Sequence, residues 1–195
     1  FSGLLQLLIA SGAAEKLAKF CAPFFVRIFP EVPSDHPSIA YMTLNFAANF
    51  LGLDSAATPF GLKAMASLQE LNPEKEKASN AQIMFLCLHA AGLTLIPTSI
   101  IGYRAAQNAS NPADVMIPCI LTSLVGTLAA LFIVGFRQKI SFKSGALLGV
   151  LMALIGGIAG LLFYLSHLEL LEKSVFTAHL STSLFFLILL IIVAY

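Results

Sequence analysis

Long apolar stretches separated by short polar segments make up most of the chain, and their lengths predict membrane-spanning helices. A helix rises about 1.5 Å per residue, so about 20 apolar residues span the hydrocarbon core of a bilayer. Apolar runs cover about 113–136 and 144–165, and a further run extends over about 179–195. The apolar segment 1–29 contains charged residues, which indicates the end of a spanning helix or, as we expect, an interfacial helix. The pattern therefore predicts an all-α, polytopic α-helical integral membrane protein.

The segment 37–71 is apolar at both ends and polar in the middle. Pro37 is placed to begin one helix, and Pro59 is placed to open a second one. Between them, Gly, Asp, Ser and Thr residues interrupt the apolar pattern. Two helices joined by a polar tip are typical of a re-entrant helical hairpin, because irregular backbone at membrane depth must be buried in protein or line a cavity. The alternative is a single kinked spanning helix.

The positions of the 11 Lys and Arg residues favour the hairpin. Cytoplasmic loops of membrane proteins carry an excess of these residues. If the loop 137–143 is cytoplasmic, a re-entrant hairpin places nine positive charges inside and only Arg104 and Lys173 outside. A single span at 37–71 would divide the same charges six to five, which is no bias at all.

The segment 79–106 predicts a broken transmembrane helix. Gly92 and Pro97 interrupt its middle, and Thr94 and Thr98 lie beside the interruption. Transporters place substrate and ion sites at such breaks, because the exposed main-chain groups can bind a ligand there. The alternative is a proline kink whose main chain is satisfied by the neighbouring hydroxyl groups.

The composition supports the membrane interpretation and excludes several classes of function. Hydrophobic residues make up 58% of the chain and charged residues 11%, whereas a soluble domain carries about 25% charged residues. The lipid bilayer is therefore an expected partner, and the lack of a basic cluster argues against nucleic acid. The three cysteines lie far apart, which predicts neither a disulfide nor a metal site. Without a nucleophile motif, phosphate loop or carboxylate pair, we expect neither an enzyme nor a cofactor.

Polar side chains at the hairpin and the break are the candidate binding residues. Asn45 and Asn49 are spaced to share one helix face, and burial in lipid would leave their amide groups unpaired. They either contact a solute or ion or bond to another helix. An intramembrane acid such as Asp54 indicates a site for a cation or proton, although it can instead cap a helix. His89 either contacts a ligand or bonds to a neighbouring helix. The predicted substrate-binding set is Asn45, Asn49, Asp54, Ser55, Thr58, His89, Thr94 and Thr98.

Small residues recur every three or four positions along the apolar run 144–165. Such a stripe permits close packing between helices in a membrane. It predicts an assembly surface, either for another copy of the chain or for a missing half of the protein. Its members are Gly145, Gly149, Ala153, Gly156 and Gly160.

One long and specific motif begins at Asn45 and reads N-x3-N-x2-G-L-x-x-A-A-T-P-x-G-x-K-A-M. Together with PEVPSDHPS before it and SNAQIMFLCLHAAGLTLIPTSIIGYR after it, this motif closely resembles the spore maturation protein A family. That family carries a nucleoside-recognition, or gate, domain and is similar to gate-type solute transporters. The chain differs from the common family pattern at GLDSAATP and at LHAAGLTLIP.

The resemblance implies a domain organisation and a cellular location. Residues 1–135 correspond to the gate-like membrane domain, and residues 136–195 to a connector that joins it to a spore maturation protein B-like half in fused proteins. We therefore expect a chain that is incomplete at both ends, located in the cytoplasmic (inner) membrane of a bacterium as a multi-pass protein. The expected function is half of a solute transporter that binds a small polar solute or an ion at the hairpin tip and the broken helix. The alternative is a non-transporting membrane scaffold or sensor in spore or envelope maturation.

Overall fold

A computed structural model describes residues 25–50, 52–140 and 145–169, together with isolated positions between 172 and 183. Throughout this part of the chain the regular structure is helical. The expected interfacial helix therefore falls mostly outside the described residues, as does most of the expected span at 179–195. Six α-helices and one 3-10 turn are described: α1 (Pro37–Phe50), α2 (Asp54–Leu71), α3 (Asn80–Ala91), α4 (Thr98–Ala106), the 3-10 turn Pro112–Val115, α5 (Met116–Arg137) and α6 (Gly145–Ser166).

Helices α1 and α2 form an antiparallel hairpin that packs along its length. The Asn45 amide nitrogen donates to the Ala57 carbonyl oxygen at 2.7 Å. Further from the tip, the Lys63 ammonium lies 6.0 Å from the centre of the Tyr41 ring. Contacts therefore move away from the tip on both helices together, as in an antiparallel pair. Their interface buries small and apolar side chains, among them Ala64.

The prediction that Pro59 opens the second helix is wrong. Helix α2 begins at Asp54, and Pro59 lies inside it. The Leu53 N–H donates to the Ala48 carbonyl at 2.9 Å and the Ala57 N–H donates to the Leu53 carbonyl at 3.0 Å. The chain has thus reversed and resumed helical hydrogen bonding before it reaches the proline. Pro59 lacks the N–H of one main-chain hydrogen bond near the start of α2. The packing of α2 against α1 compensates for the loss of this bond.

The interruption between α3 and α4 has a defined geometry. Helix α3 ends at Ala91, and Gly92 adopts a left-handed conformation with φ of 57° that closes the helix. Gly92 is suited to this position because it has no Cβ to clash with the neighbouring carbonyl. Helix α4 begins at Thr98, immediately after Pro97.

A network of amide side chains closes the loop between α2 and α3. The Ser79 hydroxyl accepts a bond from the Gln82 N–H, and the Gln82 side-chain oxygen accepts one from the Ser79 N–H. Gln82 also donates to the Gln69 side-chain oxygen at 2.8 Å and accepts from the Asn72 amide at 3.2 Å. Gln82 and Asn72 are both buried. This reciprocal cap fixes the point at which α3 starts.

The core lies between the hairpin, α3 and the residues before α1. Phe25 stacks on Phe46 with ring centres 5.0 Å apart, and Phe46 meets Phe85 edge to face at 5.9 Å. Leu131 of α5 and Leu151 of α6 belong to the same apolar cluster. Burial of such large side chains is the main stabilising contribution to the packing of these helices against one another.

Polar bonds join three chain segments on one side of this core. The Asn80 amide donates to the Glu31 carboxylate at 2.6 Å. The Gln138 amide donates to the Asn80 carbonyl at 2.8 Å. The segment before α1, the loop between α2 and α3 and the end of α5 therefore lie on the same side of the molecule. The hairpin accordingly enters and leaves the helical core from this side.

Among the described residues, one helical stretch, Pro112–Arg137, is long and apolar enough to cross a bilayer. It consists of the 3-10 turn and α5. Large apolar side chains on its surface remain exposed: Ile133 is 71% exposed and Phe136 is 86% exposed. An exposed apolar surface of this kind is typical of a contact with lipid or with another protein.

Helix α6 leaves much of its surface uncovered. Leu151 is buried against the core, but a side-chain carbon placed on Gly149, Gly156 or Gly160 would meet no atom within 4 Å. The glycine stripe therefore has no packing partner in the described part of the chain. The surroundings of the other two members of the stripe, Gly145 and Ala153, are not among those described.

Candidate functional site

The tip of the hairpin is bonded directly to the break between α3 and α4. The Leu95 N–H and the Ile96 N–H both donate to the Phe50 carbonyl at 2.9 Å. In the other direction, the Thr98 hydroxyl donates to the Gly52 carbonyl at 2.9 Å. The Ser99 hydroxyl donates to the same carbonyl at 3.0 Å. Two main-chain N–H groups of the break thus find their acceptor at the tip, and the Gly52 carbonyl of the tip finds its donors in two hydroxyl groups at the start of α4.

Gly52 permits this close contact. Its φ is +61°, which favours glycine, and a Cβ at this position would lie 2.4 Å from the Ile96 carbonyl oxygen and 2.8 Å from the Thr98 nitrogen. Both clashes involve main-chain atoms that have little freedom to move. Only glycine fits here without displacing the break.

A cavity of about 380 Å³ lies beside this junction. The break contributes Thr94 and Pro97, helix α4 contributes Ser99, and α5 contributes Thr122 and Ser123. The remaining lining residues are Gly52, Ala91, Ile100 and Cys119. No charged side chain is among these described lining residues. Its volume is in the lower part of the range of small-molecule pockets.

Helix α5 is joined to the break through Ser123. The Ser123 hydroxyl accepts from the Thr94 N–H at 3.3 Å and lies 3.4 Å from the Thr94 carbonyl. Ser123 precedes Arg137 by 14 residues of α5, which is about 21 Å of helix at about 1.5 Å per residue. It follows Met116 by only seven residues, or about 10 Å. The break therefore meets α5 well inside the length of that helix.

A second polar group lies between the hairpin and α3. Asn45 is 0% exposed and Asn49 is 9% exposed. The Asn49 amide donates to the Asn45 side-chain oxygen at 3.3 Å. His89 of α3 lies with its Nδ1 3.0 Å from the same oxygen, and its ring is stacked on Phe85 with centres 6.0 Å apart. We call Asn45, Asn49 and His89 the amide–imidazole cluster.

Two contacts of His89 Nδ1 bear on the tautomer of its ring. The Asn45 amide nitrogen is committed to the Ala57 carbonyl, so the Asn45 oxygen faces His89 and accepts when Nδ1 carries a proton. The Asn49 amide nitrogen also lies 3.2 Å from Nδ1 and can donate to it only when Nδ1 carries the lone pair. The two contacts therefore require opposite tautomers, and the shorter one, 3.0 Å to the Asn45 oxygen, favours the proton on Nδ1.

Comparisons with known proteins identify the family. Residues 1–107 match the Gate family, described as nucleoside recognition. The chain is also 39% identical over 131 residues to "Spore maturation protein A" of Bacillus subtilis (strain 168), an alignment that covers 67% of each protein. The chain belongs to the Gate family. The resemblance to the spore maturation protein A family is thereby confirmed, and with it a membrane location is supported. No solved structure matches the chain.

The Gate match ends just after α4, so it contains the whole amide–imidazole cluster but only part of the cavity lining. The amide–imidazole cluster and the tip–break junction lie wholly within residues 1–107. The cavity also uses Cys119, Thr122 and Ser123 of α5, which lie beyond that match. The cavity of this Gate protein is therefore completed by residues outside the family match.

The predicted binding residues separate into three groups. Asn45, Asn49 and His89 are together in the cluster. Thr94 and Thr98 are together at the break, where Thr94 lines the cavity. Of the remaining three, Thr58 is exposed on α2, while the side chains of Asp54 and Ser55 lie outside the described residues.

Sequence reasoning missed the contribution of α5 to this Gate protein. The run 113–136 looks like an uninterrupted span, and its polar residues were given no role. The available signal is the adjacent pair Thr122 and Ser123, two neighbouring hydroxyl groups in a largely apolar helix. The sequence places Gly52 in the polar tip of the hairpin, but it does not predict the close contact with the break, because that contact involves residues more than 40 positions away.

Proposed function

We propose that this Gate protein is half of a solute transporter that binds a small polar solute or an ion where the hairpin tip meets the broken helix. The observation that carries the proposal is the tip–break junction beside a polar cavity. Two irregular main-chain segments meet there inside a helical protein, which is the arrangement that transporters use for substrate sites. The second half would be a spore maturation protein B-like subunit or domain.

In this proposal the hairpin is re-entrant and the protein is multi-pass in the bacterial cytoplasmic membrane. Three features support it. Both ends of the hairpin lie on the side where α5 ends, its tip meets the break level with the interior of α5, and exposed apolar residues cover the outer surface of α5. If α5 spans the bilayer, the tip would lie about 21 Å from the entry side.

The amide–imidazole cluster has a supporting role in the proposal. It joins α1, α2 and α3, and so keeps the hairpin in position against the first half of the broken helix. The family description and the name of the relative suggest nucleoside-like solutes and a role in spore maturation. The cavity itself restricts the solute less than these names do: it requires only that the solute is small and able to form hydrogen bonds.

Accessibility of the cavity from the two sides of the membrane tests the proposal. Cysteine would replace Thr94 in a protein whose Cys21, Cys87 and Cys119 are changed to Ala. An impermeant maleimide would then be applied to right-side-out and inside-out vesicles. A transporter site is reached from either side in turn, so we expect labelling in both preparations.

Two control positions make the labelling interpretable. Glu76→Cys lies in an exposed loop and should react from one side only. Ile133→Cys lies on the apolar face of α5 and should react from neither. Labelling of Thr94→Cys from one side only, in every condition, would contradict alternating access.

A second candidate function is a non-transporting scaffold or sensor that works by assembly. The observation that favours it is the glycine stripe of α6, which has no packing partner among the described residues. In that case Gly149→Leu and Gly156→Leu would abolish association with another copy or with the second half, as measured by cross-linking in membranes. Retained biological activity in a variant with the cavity hydroxyl groups removed would then favour the scaffold over the transporter.

A further inference from the structure

Three hydroxyl groups that line the cavity, those of Thr94, Thr122 and Ser123, already donate their hydrogen to main-chain carbonyl groups. The Thr94 hydroxyl lies 2.8 Å from the Gly92 carbonyl oxygen, and the Thr122 hydroxyl lies 2.8 Å from the Pro118 carbonyl oxygen. The Ser123 hydroxyl lies 3.1 Å from the Ile120 carbonyl oxygen. A carbonyl oxygen has no hydrogen to give, so the hydroxyl must be the donor in each pair.

These three side chains therefore offer acceptors. A hydroxyl oxygen has one hydrogen and two lone pairs. Thr94 and Thr122 keep both lone pairs after donating. Ser123 keeps one, because the other accepts from the Thr94 N–H. A ligand that only accepts hydrogen bonds, such as a carboxylate, would find no hydrogen on these hydroxyl groups without breaking a bond inside the protein.

Larger electrostatic features do not reverse this preference. The carboxyl end of α3 and the amino end of α4 face the same space, and their partial charges have opposite signs. Arg104 lies four residues beyond Ile100 on α4, and its guanidinium forms an ion pair with the Asp114 carboxylate at 2.6 Å. The described charges near the cavity thus compensate one another, which leaves the hydroxyl oxygens to select the ligand.

The size of the cavity distinguishes among ligands that donate. A water molecule occupies about 30 Å³ of liquid, so a cavity of about 380 Å³ is much larger than a bare alkali ion requires. Ala91, Pro97 and Ile100 add apolar lining beside the hydroxyl groups. An organic molecule with a donating head and a short apolar body fits this combination.

We infer that the cavity binds a small protonated amine, whose N–H groups donate to the hydroxyl oxygens of Thr94, Thr122 and Ser123. This inference rests on the proposed function, because it names the chemical class of the solute at the same site. It also assigns ligand contacts to α5, outside the residues that match the family.

The test is a binding measurement on the purified full chain. The unfolding temperature would be recorded against increasing n-propylammonium, tetramethylammonium, propionate and erythritol at constant ionic strength. Ligands that bind the native state raise this temperature in a concentration-dependent way. We expect a saturable rise with n-propylammonium alone. Tetramethylammonium has the charge without an N–H, so its failure would identify the donor as the recognised group.

Variants of α5 assign the binding to the cavity. Thr122 bonds only to carbonyls of its own helix, so Thr122→Val removes the acceptor with little effect on packing. Because a hydrogen bond to a charged group is strong, we expect about a tenfold or greater loss of affinity for n-propylammonium. Thr122→Ser should retain the affinity. Thr127→Val is the matched control, because Thr127 makes the same type of bond outside this cavity.

Other outcomes would overturn the inference. A rise with propionate or erythritol that matches or exceeds the rise with n-propylammonium would do so, as would no rise with any compound. An equal effect of Thr122→Val and Thr127→Val would show that binding occurs elsewhere. Transport is a separate outcome: binding of n-propylammonium with one-sided labelling of Thr94→Cys would keep the inference and overturn the transporter. Two-sided labelling without amine binding would do the reverse.

Discussion

Asn45 shows how a single side chain can organise a site. Its nitrogen donates to the Ala57 carbonyl of α2, and its oxygen accepts from Asn49 and lies 3.0 Å from Nδ1 of His89. Sequence spacing predicts that Asn45 and Asn49 share one face and avoid lipid. It cannot reveal His89 as their partner, because that contact spans 44 positions. The two alternatives for the asparagines, a ligand contact or a bond between helices, are distinguishable only with that partner known.

The tautomer of His89 is open to direct measurement. We expect Nδ1 to carry the proton in the neutral ring, because its contact with the Asn45 oxygen, an acceptor, is shorter than its contact with the Asn49 nitrogen, a donor. Nitrogen NMR of the protein with labelled histidine distinguishes the two tautomers, and the spectrum of His89→Gln assigns the signal among the four histidines. A neutral His89 protonated at Nε2 would mean that Nδ1 accepts from the Asn49 amide, which lies 3.2 Å away, instead of donating to Asn45.

Gly52 should tolerate no side chain. Gly52→Ala would impose a left-handed conformation on alanine and push its Cβ into the Ile96 carbonyl. We expect a loss of about 2 kcal/mol or more in stability, measured as thermal unfolding in detergent. Gly102→Ala is the control, since a Cβ there meets nothing within 4 Å and alanine favours the helix. Equal behaviour of the two variants would contradict the tip–break contact.

At the scale of the elements, local signals predict most helix ends near the junction. Gly92 and Pro97 mark the interruption, because one favours a left-handed cap and the other cannot continue a helix. Ser79 marks the start of α3 through its capping box. Pro59 misleads, because a proline near a helix start is compatible with the helix beginning before it. Local sequence does not show that α2 is already held by its packing on α1.

The loop between α2 and α3 provides a test of element stability. Ser79→Ala removes one capping bond and should cost about 1 kcal/mol. Gln82→Ala should cost more, about 2 kcal/mol, because it removes the reciprocal capping bond together with one hydrogen bond to the buried Asn72 and one to Gln69. Thermal unfolding of the two variants side by side measures the difference. If Ser79→Ala proved the more damaging, the cap rather than the buried network would control the start of α3.

At the scale of the whole molecule, the exposed apolar surface of α5 needs an environment other than water. Composition alone predicts this, since charged residues are only 11% of the chain. Which helices face lipid, and which face a second half, depends on packing that extends past the described residues. The sequence therefore predicts that lipid surrounds the protein, but it does not predict which helices pack against one another.

The absence of Trp from the chain makes lipid contact measurable. Ile133→Trp would place the one Trp of the chain, which can be excited apart from its tyrosines, on the exposed face of α5, where we expect strong quenching by lipids with brominated acyl chains. Glu76→Trp would lie in the polar loop, where aqueous acrylamide should quench and brominated lipids should not. Quenching of Ile133→Trp by acrylamide to the same degree would place this face of α5 in water.

The Gly52 carbonyl, which receives two hydroxyl groups from the break, also affects how variation among relatives should be interpreted. Position 52 must remain glycine, and positions 98 and 99 must retain a hydroxyl, whatever the solute. If relatives all have Gly at position 52, Thr at 98 and Ser at 99, this would therefore reflect what the fold requires and would say nothing about the solute. Residues that differ between relatives with different solutes should occur instead at Thr94, Thr122 and the other cavity positions that do not hold the tip. Evolution could thus change the specificity of this protein without altering the junction that supports it.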